Sequence, residues 1–415
     1  MSIAPVLAVD PLLEGSFGIA VVLIVLLKTL VAFGLLLVGV ILMIWFERKL
    51  ISDFQNRVGP NKAGPWGLLQ TLADGLKLIM KEDLIPDRAD RRVFILAPFL
   101  SAVPAFVTFS VVPIAGGFHG DDRGVVSLFG HDTYLQLADP PIGVLLILAM
   151  SSIAIYGVML AGWSSGSKYP LFGAVRGTAQ MVSYEAALSL AVVAVVLLAG
   201  SLSTHDIVAT QAGSGYELFG AVPIPRWNLI ATGVVPFVIF LIAGTAELNR
   251  PPFDLVEAEQ ELVGGFHTEY SSFRFALFYL AEFMNTITMS AIIVTLFLGG
   301  PAGPVPVGPP WLWGAIWFML KLSVFLFAFV WVRATLPRFR YDQLMNIGWK
   351  ALIPLSLGWI LLLGAINIGR DEGWNMGVVV GASFLALVVA WVALSAAVEV
   401  AGRRRASDDK EEALV

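Results

Sequence analysis

Glu247, Arg250, Asp254, Glu257, Glu259, Glu261, His267, Glu269 and Arg274 fall in one stretch between two apolar runs, in a chain that carries little charge elsewhere. Pro251-Pro252 and Gly264-Gly265 bracket the stretch, and Phe253, Leu255, Leu262, Val263 and Phe266 interleave with the acids. On a strand Glu257, Glu259 and Glu261 share a face; on a helix Glu257 and Glu261 do, and Glu259 points away. Either way like charges crowd, which predicts carboxyl pKa values raised toward neutrality. Carboxyls poised there exchange protons at pH 7. The chemistry to look for is therefore proton handling, or binding of something polar at a membrane boundary. A solvated acidic loop is the plainer reading; the apolar interleaving and the semi-rigid brackets argue against it.

Four ionisable groups lie inside apolar runs: Lys28, Glu185, Glu282 and Lys321. Each costs roughly 2.5–3.5 kcal/mol at mid-membrane, so they should face protein or water, not lipid. Asn285 and Thr286 extend Glu282 into a polar stripe, and Ser189, with Tyr184 and Ser183, accompanies Glu185. For the two glutamates a proton relay and a structural contact between helices both remain open. Lys28 and Lys321 read instead as snorkelling or fixed counter-charges.

The elements that must position these groups are membrane spans. Of the 415 residues, 57% are hydrophobic and 14% charged, and the mean hydropathy is +0.81; soluble domains carry nearer a quarter charged residues. The net charge of −5 says less than its distribution. Nine apolar segments reach roughly the 20 residues a bilayer requires: 17–46, 93–115, 142–162, 179–200, 228–248, 273–298, 311–333, 350–369 and 376–400. All should be helices, giving an all-α polytopic bundle. The first run, with Asp10 and Glu14 before it, reads as a span and not a signal peptide. Lys and Arg concentrate in the 47–92 and 334–349 loops and in Arg403-Arg404-Arg405, which puts the N-terminus outside and the C-terminus in the cytoplasm. Between spans 1 and 2, Leu69, Leu72, Leu76, Ile79 and Met80 recur at helical spacing opposite Gln70, Asp74, Lys77 and Lys81, with Pro65 suited to a first turn. That pattern predicts an amphipathic surface helix over 65–82.

The outer loops promise no chemistry, and His119 and His131 lack the neighbours a metal site needs. The basic aromatic loop around Pro337-Arg338-Phe339-Arg340-Tyr341 suits partner or lipid contact, and is too short between spans for nucleic acid. The chain has no cysteine, which excludes cysteine-ligated clusters, disulfides and thiol chemistry on it. It carries no Walker loop, dinucleotide fingerprint, nucleophile triad or zinc motif.

Four inner-loop motifs occur in order between the spans. They are Glu47-Arg48-Lys49 with Gln55-Asn56-Arg57-Val58-Gly59-Pro60-Asn61 and Ala73-Asp74; Gly162-Trp163-Ser164-Ser165 through Arg176 to Ser183-Tyr184-Glu185; Ala246-Glu247 through Glu269-Tyr270-Ser271; and Arg333, Pro337-Arg338 and Arg340-Tyr341-Asp342. Together they resemble the H-subunit family of respiratory complex I, over about 17–370. The resemblance implies a membrane subunit under the hydrophilic arm. It would form much of a quinone tunnel with peripheral subunits and start a carboxylate chain toward antiporter-like subunits, with small membrane subunits also as neighbours. Quinone would be the substrate, with FMN and iron–sulfur clusters on partners and no cofactor on this chain; the complex would lie in a bacterial cytoplasmic membrane. By motif position Glu185, Glu247, Glu257, Glu259, Glu261 and Glu282 match the proton relay. Glu47, Arg48, Asp74, Arg250, Asp254, Glu269, Arg274, Arg338 and Arg340 match tunnel or docking loops.

The chain also departs from the family pattern. Thr71 stands where Pro is common and Ser272 where Gly is common. The third span has no carboxylate, so a route there would use water, Ser151, Ser152 or Tyr156. The family core has eight spans, which divides the chain into a core, 1–370, and an added helix with a charged tail, 371–415. Two other readings are the membrane anchor of a related proton-pumping hydrogenase or other donor dehydrogenase, and an independent ion or solute transporter. Quinone-dependent turnover with co-purified flavin distinguishes the first; the second predicts an inverted repeat, and the sequence shows none.

Overall fold

The computed structural model describes residues 10–13, 18–119, 122–212, 216–218, 222–224, 226–256, 259–375, 377–383, 385, 388, 389 and 392. The chain is helical over most of this length. In order the helices are α1 (Ile19–Phe54), α2 (Gln70–Met80), α3 (Arg91–Ser110), α4 (Gly143–Ser164), α5 (Lys168–Ala199), α6 (Thr204–Gln211), α7 (Asn228–Ala231), α8 (Val234–Glu247), α9 (Glu259–Leu262), α10 (Ser272–Phe297), α11 (Pro310–Thr335), α12 (Tyr341–Asn346) and α13 (Ile353–Asp371). A π-helical turn, Ile347–Leu352, joins the last two. Seven described helices are long and apolar enough to cross a membrane: α1, α3, α4, α5, α10, α11 and the continuous Tyr341–Asp371. The chain is thus a nearly all-α polytopic bundle.

The span expected over 228–248 forms a 14-residue helix, α8, preceded by the single turn α7. Gly233, at φ 78, breaks the helical path between them. The ninth expected span, 376–400, lies largely outside the described residues.

Residues Met1–Ile353 and Pro354–Val415 form two compact units. In the first, α10 is central, with 83% of its apolar window buried against 22% for α1 and 28% for α11. Small residues let the helices around it close up. A Cβ on Gly157 of α4 would collide with Ser101 Oγ of α3, and one on Gly162 would collide with Ala174 Cβ of α5. At one end of this unit the connections fold into three antiparallel pairs, Phe118–His119 with Asp122–Arg123, Val125–Leu128 with His131–Tyr134, and Tyr216–Leu218 with Val222–Ile224. Helical periodicity gives no sign of these pairs. In the second unit, Gly369 of α13 packs against Val379.

The amphipathic helix forms as α2, preceded by a 3₁₀ turn, Pro65–Gly67. Leu72, Leu76, Ile79 and Met80 on it are exposed, and none of its residues is buried. Its apolar face is thus left uncovered by the other described residues.

Candidate functional site

At the α2 end of the bundle a buried chain of charges crosses four elements. Arg250, 2% exposed, donates from Nη1 to Glu47 Oε2 of α1 at 2.7 Å. Arg333 of α11 pairs with the other oxygen of Glu47. On its far side Arg250 Nε lies 3.2 Å from Glu282 Oε1 of α10, close enough for an ion pair but not aligned as a hydrogen bond. The guanidinium carbon also sits 4.4 Å from the centre of the Phe283 ring. Taking such charges out of water costs several kcal/mol each, and only close pairing offsets it. Arg250 Nη2 nevertheless has no partner among the described residues. Asp254 acts electrostatically on Glu282 and so belongs to the same group.

Glu282 opens onto an internal cavity of about 130 Å³. Its wall is mainly apolar, with Ser101, Ser151, Glu247, Asn249, His267 and Asn285 among the polar groups. Glu247 Oε2, Ser101 Oγ and Thr288 Oγ1 are buried without hydrogen-bond partners among the described residues, and their residues line this space. A cavity of that size takes several waters, at roughly 10–15 Å³ each, and its orphan polar atoms require partners. Beyond it, Glu185 of α5 accepts a hydrogen bond from Ser152 of α4 and interacts electrostatically with Glu247. Ser151 and Ser152 are thus the groups that α4 supplies where it has no carboxylate.

The acidic loop is pinned across this end. Gln180 Nε2 donates to the carbonyls of Ala246 and Phe253, at 2.7 and 2.8 Å. Two glycines on the same helix let the loop come close: a Cβ at Gly173 would meet Gly265 Cα at 2.8 Å, and one at Gly177 would meet Val256 Cγ2 at 2.7 Å. Tyr184 packs against Phe253 and donates to the Leu344 carbonyl at 2.9 Å, and Phe339 N donates to Pro252 O.

The acids of this loop do not behave as one group. Glu261 has its side chain 54% exposed and is paired with Arg176 at 2.8 Å and Arg338 at 3.6 Å. The Arg176 hydrogen bond holds its carboxyl below the usual value, so the raised pKa expected from acid crowding does not hold at Glu261. Glu257 and the side chain of Glu259 lie outside the described residues.

A second recess, of about 400 Å³, opens beside α2. Glu47, Arg48, Arg57, Pro60, Tyr279 and Arg333 are in its wall, and Tyr279 lines the internal cavity as well. Arg48 ties α1 to α2 through Asp74 at 2.5 Å, and Thr71 donates to the Ile41 carbonyl on α1. Ser272 sits at φ 55, a conformation that favours glycine, and its hydroxyl donates to Leu78 O at the end of α2. Arg274 pairs with Asp83 at 3.0 Å. Arg340 is exposed, and its backbone amide donates to Gln343. Glu269 is partly buried.

Three residues that had no role assigned from sequence join the site. Arg333 shares Glu47 with Arg250 although 286 residues separate it from Glu47, and no local pattern foretells that. Tyr279 lies one turn before Glu282 and could have been found as part of its face. His267 stands within the acidic stretch, and its neighbours Phe266 and Phe275 are the signal of a dry setting.

Comparison with known proteins adds a family. A family model described as NADH dehydrogenase matches residues 27–364. The chain is 50% identical over 380 residues to a protein of Frankia casuarinae, covering 89% of this chain and 79% of the relative. It is 45% identical over 394 residues to one of Streptomyces avermitilis (93% and 82%), and 45% over 381 residues to one of Cutibacterium acnes (88% and 83%). All three relatives are named as the H subunit of NADH-quinone oxidoreductase.

Proposed function

The chain belongs to the NADH dehydrogenase family as an H subunit of NADH-quinone oxidoreductase, a membrane subunit of that complex, and from this we propose a division of labour between the internal cavity and the recess beside α2. The recess beside α2 forms part of the quinone tunnel. Its size suits a small-molecule site, and the exposed apolar face of α2 offers a surface to an isoprenoid tail. The internal cavity is the start of the proton path, with Glu282, Glu247 and Glu185 as its acids and Ser151 and Ser152 between them. Glu257, Glu259 and Glu261 serve the loop that covers it.

The observation that carries this reading is the link between the hollows. Glu47 and Tyr279 wall the recess, Tyr279 and Glu282 wall the cavity, and Arg250 pairs with both Glu47 and Glu282. A charge change at a reduced quinone acts on Glu47 and Arg250 over a short, sparingly hydrated distance, where electrostatic effects are large. Glu282 then loses or gains its counter-charge, and its proton affinity changes.

In this proposal the recess and acidic loop lie on the cytoplasmic side of a bacterial membrane, with the N-terminus outside. Peripheral subunits carrying FMN and the iron–sulfur clusters dock near Arg338, Arg340, Glu269 and Arg274. Small membrane subunits and antiporter-like subunits receive the proton path. Residues 371–415 are an addition to the core.

The test uses the whole complex in liposomes. Glu247→Gln and Glu282→Gln should keep NADH oxidation by ferricyanide, which reports an assembled peripheral arm, while losing quinone-coupled proton uptake. Coupled turnover unchanged in both variants would overturn the reading.

A further inference from the structure

His267 is the one histidine in the cavity wall, and neither the relay nor the docking role assigned above uses it. It ends the 3₁₀ turn Gly265–His267, which packs against α4 and α5. Its ring stands nearly perpendicular to Phe266, with centroids 4.9 Å apart, and at 67° to Phe275, at 5.3 Å. Among the described residues its ring makes no hydrogen bond to protein. A polar ring set edge-to-face with two phenyl rings, in the wall of a space that also holds Glu282, Glu247 and Asn249, has neither nitrogen bonded to another described residue and so can bond water.

We propose that His267 passes protons between the acidic loop and the internal cavity by exchanging tautomers. Water on the loop side gives a proton to the bare ring nitrogen, and the other nitrogen releases its proton to cavity water and on to Glu282 or Glu247. The ring ends neutral with its hydrogen moved, so charge and atoms balance, and a flip or the reverse transfer resets it.

The surroundings favour a relay over a store. Burial pushes the imidazole down to about 4, so it stays neutral at physiological pH, the form able to accept and donate at once. From α4 and α5 no ionisable side chain reaches the cavity wall; from α8 and α10 come Glu247, Glu282 and Tyr279. The nearby cations are engaged elsewhere: Arg250 with Glu47 and Glu282, Arg274 with Asp83, Arg176 with Glu261. In the loop itself Asp254 and Glu269 are the other described acids.

The inference rests on the proposed proton path, and the experiment separates the two. In the intact complex in liposomes, His267→Ala should lower quinone-coupled proton uptake about tenfold or more, keep ferricyanide reduction, and regain uptake when imidazole is added at millimolar concentration. His267→Phe, which refills the space with a ring but has no proton to pass, should stay impaired across pH 6–9. Full activity of His267→Phe, or an Ala variant that is either unimpaired or unresponsive to imidazole, would overturn the relay. If Glu247→Gln and Glu282→Gln are impaired in the same preparations, that failure touches His267 alone and leaves the carboxylate path standing.

Discussion

Charge is buried at both ends of this bundle, and the two ends treat it differently. At the sheet-bearing end the two lysine ammoniums are held by fixed partners. Lys28 Nζ lies 2.6 Å from Asp10 Oδ2 and 3.0 Å from Thr133 Oγ1. Lys321 Nζ donates to three carbonyls, Leu298, Gly300 and Ala302, at 2.8–2.9 Å, which uses every proton of the ammonium. At the α2 end Arg250 leaves Nη2 unpartnered, Glu247 leaves Oε2 unpartnered, and the acids border a cavity. A buried charge with every donor and acceptor engaged works as a strut. One with spare bonding capacity beside a water-sized space can change its protonation at modest structural cost. Burial alone does not separate these cases; the unpartnered atom and the adjacent space do.

The largest expected effect tests that distinction directly. Glu247→Gln should reduce quinone-coupled turnover by about 10²-fold, the scale of a lost proton-transfer group. The double variant Asp10→Asn, Lys28→Met removes a complete ion pair at the other end, so no orphan charge remains. It should leave turnover within about twofold, with the loss appearing in thermal inactivation instead. Equal losses of turnover in both would erase the contrast.

Next is Arg250, whose guanidinium holds two carboxylates. Arg250→Met leaves Glu47 and Glu282 buried with reduced compensation, at a cost of about 3–5 kcal/mol. The measurement is the yield and inactivation temperature of the assembled complex. Adding Glu282→Gln should recover part of the loss, because that carboxylate has no other cation beside it among the described residues, whereas Glu47 keeps Arg333. An additive double variant would show that the two residues do not interact, and the link between the hollows would fail with it.

Much of this frame was legible in sequence, for reasons that also explain what was not. Apolar length reveals a span because lipid leaves the backbone no alternative, and the face of α2 shows at its 3.6-residue period. Glu282 and Glu185 declared themselves by their cost. The pairing of Glu47 with Arg250, 203 residues away, did not, because a motif position says that a charge is present and not which charge it meets. Crowded acids at Glu257, Glu259 and Glu261 suggested raised pKa values, but Arg176 from α5 reaches Glu261 and reverses the sign there. Lys321 read as snorkelling or a counter-charge, whereas the structure makes it a cap for the carbonyls past the end of α10.

That cap supplies a smaller prediction. Lys321→Met should cost roughly 1.5–3 kcal/mol, the scale of losing charged hydrogen bonds, with no change in turnover per assembled complex. A turnover defect at normal stability would place Lys321 among the functional charges and weaken the contrast between the ends.

The smallest effect probes where the sheet-bearing end behaves most like the other. His205 is 2% exposed, stacks on Tyr134 at 3.9 Å, and has a buried Nε2 without a hydrogen-bond partner among the described residues. The Ser203 hydroxyl donates to Asp139, its oxygen 2.8 and 3.0 Å from the two carboxylate oxygens, yet burial, aided by repulsion from Asp206, raises the carboxyl to about 6. Raised above its ordinary 3.8, this carboxyl binds a proton more readily folded than unfolded, so its contribution to stability grows as pH falls through 6 toward 4. For His205 burial lowers the pKa below the ordinary 6.5, so its contribution declines as pH falls below 6.5. The slopes oppose each other over the same window. Asp139→Asn removes the first and leaves the second. The variant should equal or exceed the parent in thermal stability at pH 8, by on the order of 1 kcal/mol after solvent screening, and lose that advantage by pH 5. A difference that stays constant from pH 8 to 5 would mean Asp139 remains ionised throughout, held by Ser203 as firmly as Asp10 is held by Lys28, and the sheet-bearing end would then keep its carboxylates fixed without exception.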